Sequence, residues 1–323
     1  MAYNFSISYT NIIDFNPDYT KEKVVVETFQ TDNLLMLAQK FKNTEKMYQE
    51  LLKNDFILYF HEKDQSYFCK RYLFEHLWKR KDLIKEGSLF YTIDEQNENK
   101  MTTLQRKKLL VIFSCMPTME KYNSHTAAER CFVPFFPSIA RSLVKDVLIM
   151  RIMDLNLSHG SHYISTENYP EMENDIQNAI KKVAFDHLID VEDIVLYGIS
   201  KGGTGALYHG ALADYNVLAV DPILSVEEYN QDGNQHFLKN LRRIDLTDDL
   251  NRNLEKCSRK KIIISNENIT FNYKKINELT VDKVNLVSIQ DNTVNHHTEL
   301  SKNTIPEQLS LLNGLFSENF SIH

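Results

Sequence analysis

The stretch IVLYGISKGGTGALY, residues 194–208, decides the predicted fold of this chain. An apolar run with the character of a buried strand leads into a glycine-rich turn, and a sequence of helical character follows. Gly198 and Gly202 flank Ser200 at the spacing of a nucleophile elbow, where a strained serine and close strand–helix packing leave no room for side chains. The stretch therefore predicts a reactive Ser200 at the carboxyl edge of a sheet.

Two other interpretations of this stretch stay open, a plain structural turn and a phosphate-binding loop. The phosphate loop is disfavoured because the spacing Gly-x-x-x-x-Gly-Lys-Ser/Thr is absent. It is also disfavoured because the glycines follow a late predicted strand rather than the first one.

The sequence from about residue 108 onward predicts an α/β fold, because short β-branched runs alternate with longer helical patterns. The candidate strands are 109–114, 147–151, 194–197, 217–220, 261–265 and 284–289. Each is a nearly continuous apolar run, as burial on both faces of a sheet requires. With the elbow, the pattern predicts an α/β-hydrolase-like, mostly parallel sheet flanked by helices.

Residues 1–100 predict a small α/β module that precedes a catalytic domain at residues 101–323. The expected elements of the module are a strand at 23–29, a helix at 33–53, a strand at 56–60 and an aromatic-rich helix at 66–84. Phe68, Tyr72 and His76 recur at helical spacing in the last of these.

Ser200 needs a histidine to take its proton and an acid to orient that histidine. In this fold the chain order is serine, acid, histidine. His296 and His297 follow the last predicted strand, and we favour His297 as the base. Glu267, directly after the strand at 261–265, is the favoured acid, and Asp221 at the end of an earlier strand is the alternative.

An oxyanion hole needs one N–H group from the residue after the nucleophile and a second from the loop after an earlier strand. Lys201 is the expected first donor. The second is expected from Cys115 or Met116, which follow the strand at 109–114.

The loop at 154–163 follows a predicted strand and is expected near the active site. Its polar and aromatic residues, His162 and Tyr163 among them, suit a sugar, whose hydroxyls need hydrogen-bond partners and whose C–H faces pack on rings. His159 and His162 are not joined by a cysteine or carboxylate at ligand spacing, so no metal site is predicted.

The composition narrows the classes of partner. The 323 residues carry a formal net charge of -7 at pH 7, so no nucleic-acid partner is expected. The longest apolar run, 109–113, is far too short to span a membrane. The 4 cysteines form no Cys-x-x-Cys pair and no secretory signal pattern opens the sequence, so a reduced, cytoplasmic protein is expected.

Four segments resemble the XcbB/CpsF family of bacterial capsular polysaccharide biosynthesis proteins: 148–151, 160–163, 197–208 and 296–300. They are also similar, more distantly, to the α/β-hydrolase-type O-acetyltransferases of bacterial capsules and of accessory Sec glycoprotein export. The resemblance extends over residues 108–300.

The resemblance implies an enzyme that moves an acetyl group from acetyl-CoA to a sugar hydroxyl through an acetyl-serine intermediate. By motif position Ser200, Glu267 and His297 would form the triad, with acetyl-CoA as donor substrate and no bound cofactor. A capsular polysaccharide or other glycan is the expected acceptor, and other capsule assembly proteins are the expected partners. A carbohydrate esterase or hydrolase with the same triad, and a non-catalytic scaffold of a polysaccharide assembly complex, remain alternatives.

Overall fold

The computed structural model describes residues 3–94, 106–229 and 241–317, and two sheets organise them. The smaller sheet has the strand order β1-β2-β4-β3. Its strands are β1 (Ile7–Asn11), β2 (Lys23–Glu27), β3 (Phe56–Glu62) and β4 (Gln65–Lys70). Between β2 and β3 the chain forms helices α1 (Leu34–Lys40) and α2 (Lys42–Lys53).

The larger sheet has eight strands in the order β5-β6-β8-β7-β9-β10-β11-β12. Its strands are β5 (Ile84–Glu86), β6 (Leu89–Asp94), β7 (Lys108–Phe113), β8 (Val147–Ile152), β9 (Ile194–Ile199), β10 (Asn216–Val220), β11 (Lys261–Ser265) and β12 (Asn285–Ser288). β7 pairs in parallel with β8 and with β9. The pairs β9–β10, β10–β11 and β11–β12 are also parallel, whereas β6 runs antiparallel to β8 and to β5. The predicted α/β-hydrolase-like sheet is confirmed, with a small separate four-stranded sheet beside it.

Helices cover both faces of the large sheet. The helices that follow β7 are α3 (Met119–Tyr122), α4 (Ala127–Cys131), α5 (Met172–His187), α6 (Lys201–Leu212), α7 (Thr247–Leu254), α8 (Thr270–Asn277), α9 (His297–Asn303) and α10 (Ile305–Leu315). Alternate residues of β9 enter two different apolar cores: Leu196 packs with α5 and α6, and Tyr197 packs with α10. Every side chain of β9 is buried as a result, which explains its unbroken apolar sequence.

The segment after β3 departs from its predicted structure. Residues 66–84 were expected to form one helix, but the chain forms β4 and then a 3-10 helix at Arg71–His76. Strand pairing decides this, because β4 is hydrogen-bonded to β2 on one side and to β3 on the other. The prediction of a helix was wrong because aromatic residues at helical spacing also fit a strand that is buried between two neighbours.

The strands β5 and β6 belong to the large sheet, although both precede residue 101. The expected division between residues 100 and 101 lies outside the described residues.

Hydrogen bonds of Arg130 connect the small sheet with the loop that follows β8. Its side chain is fully buried, and it donates hydrogen bonds to the carbonyl oxygens of Leu58 in β3 at 2.8 Å and Ser158 at 2.9 Å. A third donation goes to the carbonyl of Ser124. The small sheet thereby helps to hold the loop at 154–163 in place.

His209, in α6, is locked inside the protein as a neutral imidazole. Its Nε2–H donates to the carbonyl of Tyr163 at 2.8 Å, and its Nδ1 accepts from the Gln177 amide at 3.0 Å. The ring also stacks on Phe113, with 5.7 Å between centroids. Burial lowers the pKa of His209 to about 4.

This histidine should make the fold sensitive to acid. Between pH 6.5 and about pH 4 the unfolded chain takes up a proton at His209 that the folded chain does not, so stability falls as the pH falls. The free energy of unfolding should lose about 1.4 kcal/mol per pH unit from this group in that window. Urea denaturation of the wild-type protein and of His209→Gln at several pH values measures this pH dependence of the free energy of unfolding. The Gln variant should show a flatter dependence, and equal slopes for both proteins would contradict the assignment.

Candidate active site

Ser200 lies on a sharp turn between β9 and α6. Its backbone has φ 53 and ψ -122, a conformation that side-chain-bearing residues rarely adopt. A Cβ at Gly198 would come within 2.2 Å of the Gly202 carbonyl oxygen, and a Cβ at Gly202 within 2.1 Å of the Phe113 carbonyl oxygen. Only glycine fits at either position, so β7, β9 and α6 pack closely enough to hold the serine in its strained geometry.

Three side chains are linked by hydrogen bonds at this turn. The Ser200 Oγ lies 2.6 Å from Nε2 of His297, and Nδ1 of the same ring is hydrogen-bonded to the Asp221 carboxylate. Because a carboxylate accepts, Nδ1 carries the proton and Nε2 is left to accept from the serine hydroxyl. This is the arrangement that a serine nucleophile needs in order to lose its proton.

Asp221 follows β10 and is 1% exposed. One carboxylate oxygen accepts from the Ser265 hydroxyl at 2.9 Å, and the other accepts from the Asn272 amide at 3.0 Å as well as from His297. The side-chain oxygen of Asn272 also accepts a hydrogen bond from the Tyr229 hydroxyl at 3.1 Å. Both carboxylate oxygens are therefore fixed. Sequence reasoning missed Ser265 and Asn272, although Ser265 closes a predicted strand next to that of Asp221.

The expected contact between Glu267 and His297 is wrong, because Asp221 takes that place. Glu267 is exposed on the loop after β11. Its neighbour Asn266 is buried instead. The Asn266 side chain donates to the Asp291 carbonyl at 3.1 Å and accepts from the backbone N–H of Asn268 at 2.8 Å. These bonds turn the loop so that Glu267 points away from the serine.

His296 is exposed and caps the start of α9. Its backbone N–H donates to the Glu299 carboxylate at 3.1 Å. The N-terminal position of α9 fixes the direction of the next residue, and it is His297 that faces Ser200.

The residues expected to form an oxyanion hole lie beside the serine. Lys201 is the first residue of α6, where backbone N–H groups have no acceptor within the helix and the helix dipole favours negative charge. Cys115 and Met116 line the cavity onto which Ser200 and His297 open. The Lys201 side chain points the other way, into the protein, and donates to the His159 carbonyl at 2.7 Å.

The loop at 154–163 is tightly folded around Asp154. The Asp154 carboxylate accepts from the backbone N–H groups of Ser161 and His162, both at 3.0 Å, and pairs with Lys201 Nζ at 3.4 Å. At Gly160, with φ +90, a Cβ would lie 2.1 Å from that carboxylate. The loop and the start of α6 are therefore joined by a fully buried ion pair.

The two residues expected to bind sugar are both inside the protein. The Tyr163 hydroxyl donates to the Ser114 carbonyl at 2.9 Å, and its ring packs on Phe113 at a centroid distance of 4.8 Å. His162 is fully buried. Their positions are those of interior residues, so Tyr163 packs beneath the active site instead of forming a surface for a sugar.

Two cavities meet at His297. One, of about 490 Å³, contains Ser200 and is lined mainly by apolar side chains, including Met116, Phe135, Phe136 and Ile305. The other, of about 350 Å³, is more polar and is lined by Tyr229, Phe271, Asn268, Asn272, Asn295 and His296. The histidine is thus accessible from two chemically different sides.

Within residues 3–94, 106–229 and 241–317, no group of three or more His, Cys, Asp or Glu side chains could hold a metal ion. In the same residues, no helix is long and apolar enough to cross a membrane.

No protein-family model matches the chain, and no curated protein matches it in sequence. Solved structures resemble it in fold. A chain of the "Glycosylation Associate Protein (Gap123) complex from Streptococcus agalactiae" is 17% identical, with a TM-score of 0.50 over 73% of this chain and 46% of that chain. The "Capsule O-acetyltransferase of Neisseria meningitidis serogroup A" is 15% identical, with a TM-score of 0.47 over 71% of this chain and 94% of that chain. A ferulic acid esterase is 11% identical, with a TM-score of 0.47 over 71% of this chain and 93% of that chain.

The sheet topology and the serine-bearing turn together define a protein with an α/β-hydrolase-like fold. At these levels of identity the similarities describe the fold alone.

The two candidate acids can be separated by paired variants. Asp221→Asn should slow covalent labelling of Ser200 by a fluorophosphonate by about 10³-fold or more, because the histidine loses its orienting carboxylate. Glu267→Gln is the matched control and should label at the wild-type rate. Labelling kinetics followed by intact-protein mass spectrometry give both rates. Slow labelling of the Gln variant with normal labelling of the Asn variant would reverse the assignment.

Proposed function

We propose that this protein is a serine-dependent acyltransferase of bacterial capsule or glycan assembly, which moves an acetyl group from acetyl-CoA to a sugar hydroxyl. The observation that carries the proposal is the linked set of hydrogen bonds from Ser200 through His297 to the buried Asp221. A scaffold without chemistry has no need for a serine in strained geometry bound to an oriented histidine.

In the first half of the reaction the Ser200 Oγ attacks the thioester carbonyl while His297 takes its proton. Negative charge develops on the carbonyl oxygen, and the backbone N–H groups of Lys201 and of Cys115 or Met116 stabilise it. The carbon–sulfur bond then breaks, the proton on His297 passes to the departing thiolate, and acetyl-Ser200 remains.

In the second half a sugar hydroxyl gives its proton to His297 and attacks the acetyl-serine carbonyl. The bond between the carbonyl carbon and Ser200 Oγ breaks, and His297 returns the proton to the serine. Asp221 holds the imidazole in one tautomer throughout and stabilises its transient positive charge.

The choice of donor and acceptor rests on the sequence resemblance to capsule and accessory Sec O-acetyltransferases. The polar cavity beside His297 supports a glycan acceptor, because amide side chains bind hydroxyls and aromatic rings pack on sugar C–H faces. A carbohydrate esterase would use the same residues with water in place of the sugar, so the fate of the acyl group separates the two activities.

Ser200→Ala tests the intermediate. Brief incubation of wild-type protein with acetyl-CoA should add one acetyl group to the peptide that contains Ser200, and the Ala variant should stay unmodified because it lacks the hydroxyl. Peptide mass spectrometry locates the group, and circular dichroism confirms that the variant is folded. Acetylation of the folded Ala variant would remove Ser200 from the mechanism.

The acceptor should speed the release of CoA. A transferase hydrolyses acetyl-CoA slowly by itself, and a de-O-acetylated capsule oligosaccharide should raise the rate because its hydroxyl outcompetes water for the acyl-enzyme. A thiol-reactive dye follows CoA, and mass spectrometry follows acetylation of the sugar. CoA release that is equal with and without sugar, and without sugar acetylation, would indicate a hydrolase.

A further inference from the structure

Two buried side chains near the active site have polar atoms without a hydrogen-bond partner in the described part of the chain. His162 is fully buried, and both of its ring nitrogens lack a partner. Arg242 is 8% exposed, and Nη1 and Nη2 of its guanidinium lack one too. Because buried polar groups are almost always hydrogen-bonded, these atoms indicate a place for a partner from outside the chain.

The two side chains lie in one region. Leu157, from the loop that carries His162, and Leu241, which adjoins Arg242, pack in the same apolar cluster. Burial and then the positive charge of Arg242 lower the pKa of His162 well below its usual value, and the charge of Lys201 acts in the same direction. The imidazole is therefore neutral, with one nitrogen free to donate and the other free to accept.

The buried charges of this region do not balance. Lys201 is paired with Asp154 at 3.4 Å, and both side chains are fully buried. Arg242 forms no ion pair with any described residue; its Nε donates to the neutral carbonyl of Arg243 at 3.0 Å. Asp154 also attracts Arg242, so these two buried cations share one carboxylate, and an anion bound at Arg242 would supply the missing counter-charge.

Two other buried arginines are better bonded than Arg242. Arg71 pairs with Asp55 through Nε and Nη2 and leaves only Nη1 without a partner, and Arg130 is fully bonded. It lies near the same loop, and its Nε, Nη1 and Nη2 each donate to a backbone carbonyl. The lack of partners at both Nη1 and Nη2 of Arg242 is therefore not a general consequence of burying an arginine in this protein.

Arg242 can be reached by a ligand from the surface, whereas His162 stays enclosed. Arg242 lines a cavity of about 600 Å³ together with Ser165, Thr166 and Arg243. Two carboxylates also line this cavity. Glu173 already accepts from the Ser165 backbone N–H, the Tyr208 hydroxyl and Arg243, and Glu167 is exposed to solvent.

We propose that Arg242 forms a binding site for an oxyanion, a carboxylate or a phosphate ester, carried by the acyl acceptor. The planar guanidinium offers two parallel donors that match two anionic oxygens. This inference rests on the proposed function and deepens it, since it makes the acceptor an anionic glycan.

Saturation-transfer NMR with glucose 6-phosphate, glucuronate and glucose tests the site on the full chain, with no acyl donor present. At least one of the two anionic sugars should bind, glucose should not, and the one that binds identifies the anion. Arg242→Gln should weaken binding by at least about tenfold, because the bidentate contact is lost. Arg252→Gln removes an exposed arginine of α7 that is paired with Asp249 and does not line the cavity, and it should leave binding unchanged.

Equal binding of glucose and the anionic sugars, or wild-type affinity in Arg242→Gln, would overturn the proposal. Thermal melting of Arg242→Met without ligand provides a second measurement. Its melting temperature should rise, because an unpaired buried charge is replaced by an apolar side chain, and a fall or loss of folding would mean that Arg242 has an internal partner. Since no acyl chemistry is involved, these results stand apart from the acetyl-CoA experiments.

Discussion

The close approach of three backbone segments around Ser200 is the constraint on which the rest of the structure depends. Glycines at 198 and 202 let β9, β7 and the first turn of α6 come together at distances that any side chain would prevent. Since the serine is confined between them, its backbone keeps a conformation that an isolated turn would abandon. The hydroxyl is therefore held at the edge of the sheet, where the loops after the neighbouring strands also lie.

The proposed triad draws its residues from the ends of three separate strands, and Asp221 is the member with the most hydrogen bonds from neighbouring side chains. Asp221 is buried away from solvent, and its carboxylate accepts hydrogen bonds from Ser265, Asn272 and His297 instead of from water. Such a carboxylate can orient an imidazole because it has no freedom to turn elsewhere. The side chains that support it come from β11 and α8, so its position depends on elements other than the strand that leads to the serine.

The loop at 154–163 connects the small sheet to the active site. Arg130 holds it from the side of β3, and the buried pair of Asp154 and Lys201 holds it from the side of α6. Direct contacts thus connect the small sheet with Lys201, the residue next to Ser200. This coupling gives the N-terminal residues a structural role beside the proposed chemistry.

The sequence by itself determined the α/β sheet and the sharp turn that carries Ser200, because apolar periodicity and glycine spacing are local properties. The tertiary structure decided the features that depend on contacts between residues far apart in the sequence. Residues 66–76 form a strand and a 3-10 helix because β2 and β3 provide partners on both sides. Asp221 is chosen over Glu267 because parallel strands bring distant strand ends together, while the bonds of Asn266 turn Glu267 outward. A linear sequence does not show which carboxylate is buried, since burial is a property of the assembled core.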